Sequence, residues 1–359
     1  MRAPILRIKI RLLRLESETI SVLYRIMSWM RKLAIDLGTS NCIIWMENEG
    51  IVLNEPSVVA IESESRQVLA AGIEARKMEG KSPEYIEIVR PIEFGAIVDY
   101  EAAVGMVKWF LRQIMGATWI IGPEVMVTVS SGLTQVEQRA VMDAILEAGG
   151  RKVYLIDTPL AAAIGAKISI IESFGNMVLN IGGGVIEAAV VASGGVVASR
   201  SIRGGSSRWD EAIGEYLEKK YSLAVGEQSI EMVKIKLGTA VKLKKNEVIT
   251  IGGRDLVYGL PKNIELSADE VFEVIRPILD EVVLVVKETL EITPPELVAD
   301  IADRGIVLMG AAAKLRSLPL LLTREIGVSV HLAMEPENCV IKGAAMALEN
   351  LDIYRRAVK

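Results

Sequence analysis

The chain has 359 residues, a net charge of −5 and 51% apolar residues, with a mean hydropathy of +0.35. This length exceeds what one hydrophobic core usually supports, so we expect two lobes or domains. Apolar runs stay shorter than the roughly 18 residues of a membrane-spanning helix. Two cysteines and the single His331 exclude a disulfide framework and a His-rich metal site.

The charge is unevenly distributed. Residues 1–32 carry a net +6, so the remainder carries −11, which disfavours a dedicated nucleic-acid binder and favours an anionic surface as partner of the N-terminal arm. Within residues 5–15, "ILRIKIRLLRL", apolar residues fit one stripe of an interfacial amphipathic helix. These are Ile5, Ile8, Leu12 and Leu15. Strand alternation, a disordered arm, and a true start at Met27 or Met30 are the alternatives.

The first half of the body predicts alternating strands and helices. Residues 134–148 begin with a capping box, since Glu137 stands three residues after Thr134. The predicted order is a strand, a glycine turn and a strand (33–46), a strand (50–62), a helix (100–115), a strand (124–130), a helix (134–148), a strand (152–156) and a helix (159–168).

The second half repeats this order. A strand at 176–181 ends in three glycines, strands follow at 186–192 and 195–203, and a helix spans 209–220. Near 303–310, "DRGIVLMG", a further strand ends in glycine before a helix. A glycine hairpin opening each half predicts a duplicated α/β fold with a ligand between the halves.

Eight stretches in order resemble the MreB family, the bacterial actins that organise wall synthesis in rod-shaped cells. They are "IDLGTSN" (35–41), "GIVLNEPSVVAIE" (50–62), "TQVEQRAVMDAILEAG" (134–149), "DTPLAAAIGA" (157–166), "NIGGGVIE" (180–187), "GEQSIEMVKIKLG" (226–238), "TPPELVADIADRGIVLMG" (293–310) and "CVIKGAAMALEN" (339–350). The resemblance implies a duplicated actin-like (RNase H-like) two-lobed ATPase fold, with ATP and Mg²⁺ in a cleft between four subdomains.

The resemblance also implies subdomain boundaries along the chain. They are a basic N-terminal extension (1–32), subdomain IA (33–60 with 100–165 and 335–359), IB (61–99), IIA (166–203 with 262–334) and IIB (204–261). Subunits of this family stack head to tail into paired protofilaments that lie on the membrane.

The first glycine hairpin matches the family's phosphate loop fully. Its residues are Asp36, Gly38, Thr39, Ser40 and Asn41. Gly38 lets the turn tighten so that the following N–H groups point at phosphate oxygens. Asp36 would hold Mg²⁺ through water, since this ion keeps several waters. A hairpin with a structural aspartate is the alternative.

The second hairpin departs from the family. Its glycines Gly182, Gly183 and Gly184 keep the backbone cradle, but Asn180 stands where the family has Asp, and Val185 and Ile186 replace two threonines. The neutral Asn180 removes a charge near magnesium, and Val185 has no hydroxyl to position water. Phosphoryl transfer depends mainly on positioning and electrostatics, so hydrolysis should be weak. The alternative is a glycine turn without a ligand.

Three further residues match family positions around the nucleotide. Glu137 matches the family's water-activating glutamate, although a purely capping role is the alternative. Glu231 and Lys234 match a polar pair that contacts the base and ribose, and an ion pair in solvent is their alternative. Lys236 stands where the family has Glu, and nothing in the sequence explains this reversal.

The adenosine loop also departs from the family. Gly310, Ala311 and Ala312 stand where the family has three glycines. If the backbone there requires positive φ, the two alanines are strained, and their methyl groups would crowd a purine. This is the third departure in one site, and it favours weak or absent nucleotide binding.

An apolar loop at 116–124, "GATWIIGPE", lies where the family inserts into the membrane. Trp119, Ile120 and Ile121 stand between glycines, and Trp is typical of a bilayer interface. Together with the basic arm they give the two signals that stable peripheral binding requires. A loop tucked into the core is the alternative.

The sequence therefore predicts a membrane-associated filament protein that acts with wall-synthesis membrane proteins on the inner face of the cell membrane. It binds ATP and hydrolyses it slowly. A nucleotide-independent paralogue that co-assembles with a true MreB is the closest alternative. An Hsp70-like chaperone and a sugar or acetate kinase share the fold but fit less well, because the chain ends 16 residues after Gly343 and carries the MreB-type stretches.

Overall fold

The structure is a computed structural model that describes residues 31–116 and 122–359. Its strands are β1 (Lys32–Leu37), β2 (Asn41–Met46), β3 (Gly50–Pro56), β4 (Val59–Glu62), β5 (Val68–Ala71), β6 (Ile86–Val89), β7 (Ile92–Glu93), β8 (Ala96–Ile97), β9 (Glu124–Val129), β10 (Lys152–Asp157), β11 (Asn176–Ile181), β12 (Val185–Ala192), β13 (Gly195–Arg203), β14 (Leu223–Ala224), β15 (Val248–Asp255), β16 (Pro261–Ser267), β17 (Ile306–Met309) and β18 (Val330–Leu332). Its helices are α1 (Ile73–Met78), α2 (Tyr100–Met115), α3 (Gln135–Glu147), α4 (Thr158–Gly165), α5 (Ser207–Tyr221), α6 (Glu227–Leu237), α7 (Ala268–Glu291), α8 (Pro295–Arg304), α9 (Leu318–Ile326) and α10 (Cys339–Glu349).

Two five-stranded sheets have the same strand order. The first is β3-β2-β1-β9-β10 and the second is β13-β12-β11-β17-β18. In each sheet, a glycine hairpin joins two antiparallel strands, β1 with β2 and β11 with β12. The strands β9 and β10 run parallel to β1, and β17 and β18 run parallel to β11. The duplicated α/β fold predicted from the two glycine hairpins is confirmed.

A small sheet accompanies each large one. The sheet β5-β4-β6 lies in sequence within the first half and β14-β15-β16 within the second. We call the first large and small sheets with their helices lobe I, and the second pair lobe II. Helix α1 packs against β4 and β5 in lobe I, whereas α5, α6 and α7 share one hydrophobic core with the second sheets.

A separate hydrophobic core joins the lobes. It contains Ala34 of β1, Val178 of β11 and Met309 of β17, together with helices α4 and α10. These helices cross at Gly165 and Gly343, where a Cβ atom on either glycine would overlap the backbone of the other helix. Glycine is therefore required for this close approach.

One boundary, the end of the basic extension, differs from the sequence prediction. β1 begins at Lys32, and Arg31 Nη1 donates to Glu49 Oε1 at 2.8 Å, so these two residues belong to the body and not to the basic extension. The rest of that extension, residues 1–30, lies outside the described residues. No helix within residues 31–116 and 122–359 is both long and apolar enough to cross a bilayer.

Candidate nucleotide-binding site

The two glycine hairpins face each other between the lobes. A Cβ atom on Gly183 would overlap Ser40 Oγ and lie 2.8 Å from Ser40 Cβ, and one on Gly184 would lie 2.5 Å from Thr39 Cβ. Only glycine therefore fits at these two positions of the second hairpin. The predicted phosphate-loop residues of both halves are brought together at one place.

The first hairpin is held by its neighbours in lobe I. Gly38 N donates to Asn41 O at 3.1 Å, and Ser57 Oγ donates to Gly38 O at 2.6 Å. Thr39 Oγ1 accepts from Gly95 N at 3.0 Å. The N–H groups of Thr39 and Ser40 donate to no partner among the described residues.

The second hairpin is held through its carbonyl groups. Ser206 N donates to Gly182 O and Ser207 N to Gly183 O, each at 3.0 Å. Within the described part of the chain, the N–H groups of Gly183 and Gly184 have no acceptor. Adjacent free N–H groups in two facing loops are the arrangement that binds phosphate oxygens.

A half-buried carboxylate, Asp36, and a buried one, Glu187, lie beside the hairpins. Thr128 Oγ1 donates to Asp36 Oδ1 at 2.6 Å, and burial raises the pKa of Asp36. Glu187 is only 2% exposed, and its Oε1 accepts from Ser130 Oγ and from Ser131 N, both at 2.8 Å. Since Glu187 belongs to lobe II and its two donors to lobe I, these bonds tie the lobes together.

Burial raises the pKa of Glu187 to about 7 against the two hydrogen bonds, which lower it. The charges of Asp157 and Asp36 raise it further. Asp157 is itself paired with Lys359 Nζ at 2.6 Å. The carboxyl of Glu187 therefore changes its charge near neutral pH.

Asn180 lies directly opposite Glu187 in the β11–β12 ladder. It is 7% exposed, and its Oδ1 has no hydrogen-bond partner among the described residues. The described residues contain no cluster of three metal-ligating His, Cys, Asp or Glu side chains. The carboxylate of Asp36 and the unpaired Oδ1 of Asn180 are oxygens of the type that Mg²⁺ takes as ligands. This set fits an ion that takes few carboxylates and keeps its waters and phosphate ligands.

The side chain of Val185 lies next to Gly95, whose N–H donates to Thr39 of the first hairpin. A Cβ on Gly95 would lie 3.0 Å from Val185 Cγ2. An apolar group thus stands within the loop cluster where the family pattern has a hydroxyl.

Glu137 forms the predicted capping box at the start of α3. Its Oε2 accepts from Thr134 N at 2.7 Å and from Thr134 Oγ1 at 2.8 Å, while Arg203 donates to Oε1 at 3.2 Å. Hydrogen bonds from Thr134 lower the pKa of Glu137. Both oxygens are engaged, so this side chain is a weak base in the conformation seen.

Glu231 and Lys234 do not pair with each other. Arg76 of lobe I donates to Glu231 Oε2 at 2.6 Å, and Lys234 Nζ donates to Asp210 Oδ2 at 2.5 Å. Burial raises the pKa of Asp210 despite its lysine partner. The ion pair in solvent that sequence spacing offered as an alternative is wrong, because each residue has another partner.

The adenosine loop lies next to the second hairpin. Gly310 has φ +93°, and a Cβ there would lie 2.9 Å from Asn180 Oδ1. Ala311 and Ala312 belong to a 3₁₀ turn, Ala311–Lys314, and neither has a positive φ. The expected backbone strain at the alanines is therefore wrong, because Gly310 is the one residue of these three with a positive φ.

Trp119, Ile120 and Ile121 lie outside the described residues, so the predicted membrane loop stays a prediction. Sequence reasoning missed Glu187 as a site residue and Arg76 as a partner of Glu231. Strand alternation could have placed Glu187 opposite Asn180. Nothing local in the sequence indicates Arg76, which comes from the other lobe.

The duplicated sheets and facing glycine hairpins are those of an actin-like protein. Two crystal structures of MreB5 of Spiroplasma citri match the fold with a TM-score of 0.84. The one bound to AMPPNP is 33% identical and the one bound to ADP 31%. The match covers 90% of this chain and 97% and 98% of those chains. The MamK double helical filament has the same fold at 16% identity and a TM-score of 0.74, over 89% of this chain and 99% of that one.

Within this class, a model of the MreB/Mbl protein family matches residues 30–356. The cell shape-determining protein Mbl of Bacillus subtilis is 41% identical over 90% of this chain and 97% of its own length. The cell shape-determining protein MreB of Escherichia coli is 41% identical over 90% and 94%. The chain belongs to the MreB/Mbl family.

Proposed function

We propose that this chain is a cytoskeletal filament protein that organises cell shape and peptidoglycan synthesis. The observation that carries the proposal is its membership of the MreB/Mbl family, whose relatives in B. subtilis and E. coli are named cell shape-determining proteins. Its subunits would assemble head to tail into paired protofilaments. We keep the four predicted subdomain boundaries, with the basic extension ended at residue 30.

The cleft is proposed to bind ATP with Mg²⁺. The unpaired N–H groups of Thr39, Ser40, Gly183 and Gly184 support phosphate binding, and the solved MreB5 of S. citri was bound to ADP and AMPPNP. The ion would neutralise phosphate charge when bound. Asp36 would hold it through water.

Hydrolysis is proposed to be slow. The neutral Asn180 supplies an acceptor oxygen but no charge, and Val185 supplies no hydroxyl beside the phosphate loops. Glu137, whose oxygens are engaged by Thr134 and Arg203, must leave these partners before it can orient a water.

The protein is proposed to lie in the cytoplasm on the inner face of the cell membrane. The basic amphipathic pattern of residues 5–15 and the apolar loop at 116–124 support this place. Wall-synthesis membrane proteins would be its partners there, and the acidic body disfavours nucleic acid.

A nucleotide-independent paralogue is the second candidate. This candidate is favoured by the ion pairs of Glu231 with Arg76 and of Lys234 with Asp210, because these pairs engage the two side chains that are expected to contact the nucleoside.

The nucleotide proposal is tested by ATP binding and phosphate release on the full chain, with an Asn180→Asp/Val185→Thr variant beside it. We expect the parent to bind ATP·Mg²⁺ and the variant to release phosphate at least about ten-fold faster, which corresponds to about 1.4 kcal/mol of barrier. Charge at residue 180 and a hydroxyl at residue 185 restore the positioning of magnesium and water.

The matched control is Val197→Thr, the same change at a half-exposed strand position, where the rate should stay that of the parent. Equal rates in parent and double variant would show that Asn180 and Val185 do not limit hydrolysis. A parent that binds no ATP would favour the nucleotide-independent candidate.

A further inference from the structure

Two ion pairs join the outer parts of the lobes. Arg76 of α1 donates to Glu231 Oε2 at 2.6 Å, and Arg90, which follows β6, donates to Glu227 Oε2 at 2.6 Å. Both arginines belong to lobe I and both glutamates to α6 of lobe II. We call these four residues the cross-lobe latch.

The positions of the four residues allow both ion pairs to form at the same time. Glu227 and Glu231 are four residues apart and therefore share one face of α6. Arg90 also contacts Glu79 Oε1 at 3.0 Å, which holds its guanidinium at the lobe I end. The side chains of the two arginines are 32% and 37% exposed, so solvent and salt reach the pairs.

The latch uses a side chain expected to contact the nucleotide. Glu231 accepts a hydrogen bond from Arg76, and the nearby Lys234 donates to Asp210 within lobe II. Deeper in the cleft, Glu187 bonds to Ser130 and Ser131 N of lobe I. The lobes are thus joined at the rim and at the base by groups of the chain itself.

We propose that Arg76 and Arg90 latch the cleft closed without nucleotide, and that the latch must open to admit or release one. In this protein, the outer part of the cleft is held closed by the charges of α6 and its two arginine partners. A nucleotide that uses Glu231 has to displace Arg76, so Arg76 governs access to the cleft. The closed state itself does not rest on the proposed ATP binding.

The test is the distance between spin labels on the two lobes of the full chain, without nucleotide. Labels go on Glu84→Cys of lobe I and Glu218→Cys of lobe II, both exposed, whereas the native Cys42 and Cys339 are buried and stay unlabelled. We expect one narrow distance population in the parent. The Arg76→Ala/Arg90→Ala variant should add a population longer by at least about 5 Å.

A charge-swapped variant, Arg76→Glu with Glu231→Arg, should restore the short distance and so separates loss of the pair from loss of folding. Arg139→Ala breaks an ion pair to Asp143 within one helix and should leave the distance unchanged. About 1 M salt, where the screening length falls to ~3 Å, should lengthen the distance in the parent without any mutation.

Dissociation of a fluorescent ATP analogue gives the second readout, and we expect at least a ten-fold faster rate in the double alanine variant. A parent whose labels already show the broad, long distribution of that variant would overturn the proposal. So would a double variant that keeps the short distance. If the label distances behave as expected and no analogue binds, the latch stands and the proposed ATP binding fails.

Discussion

Replacing Gly343 by alanine is expected to lower the free energy of unfolding by about 3 kcal/mol or more. The new Cβ would overlap Ala161 O and lie 2.6 Å from Ala161 C and 2.7 Å from Gly165 N. These are backbone atoms of α4, so no side-chain rotation relieves the overlap. Because α4 and α10 belong to the core that joins the two lobes, the shift disturbs both sheets.

Chemical denaturation of the full chain measures this effect. Alanine normally stabilises a helix by about 1 kcal/mol relative to glycine, so a loss at Gly343 is diagnostic of the crossing. Gly195→Ala is the control, since no atom lies within 4 Å of its Cβ and its φ is not positive. It should change stability by no more than about 0.5 kcal/mol. Equal stabilities of the two variants would contradict the account of the helix crossing.

In the parent, the free energy of unfolding is expected to fall as the pH rises from about 4.5 to about 7. Replacing Glu187 by glutamine is expected to remove this fall. The folded chain raises the pKa of this carboxyl to about 7 from the ordinary 4.5, mainly by burial. The folded state therefore binds the proton more tightly than the unfolded state does. The resulting stabilisation is fully present below pH 4.5 and is lost as the pH rises to about 7.

The contribution of this carboxyl to the free energy of unfolding changes by about 3 kcal/mol over this pH range. Glutamine cannot ionise, and its carbonyl oxygen still accepts from Ser130 and Ser131, so the variant should match the parent near pH 4.5 and be the more stable at pH 8. Glu137→Gln is the matched control with the opposite sign, because hydrogen bonds lower the pKa of Glu137. Parallel pH profiles of parent and Glu187→Gln would show that this carboxyl does not titrate differently on folding.

The fold was predictable because its signals are local. Each half begins with an apolar strand, a glycine turn and a second strand, and these patterns specify hairpins without knowledge of distant residues. The repeat of that order in residues 176–203 then predicted the duplication. Helix α3 began where its capping box, Thr134 with Glu137, indicated.

The glycine backbone of the candidate site was predictable from the sequence, whereas the side-chain hydrogen bonds between the lobes were not. Gly183 and Gly184 are required by the close approach of the first hairpin, which the triple glycine indicated. The partner of Glu231 and the two donors to Glu187 come from the other lobe, at separations of 155, 57 and 56 residues. The strain expected at Ala311 was wrong because a 3₁₀ turn begins directly after Gly310. The large sequence separation hides the contacts of Glu231 and Glu187, since these contacts form only when the lobes pack against each other.

We propose that this member of the MreB/Mbl family assembles into filaments on a membrane surface. Electron microscopy of the purified full chain with anionic lipid vesicles, with and without ATP·Mg²⁺, tests it most directly. We predict filaments of paired strands lying on the vesicles, including in samples without nucleotide. A chain that stays dispersed and unbound to vesicles in every condition, while remaining folded, would contradict the account.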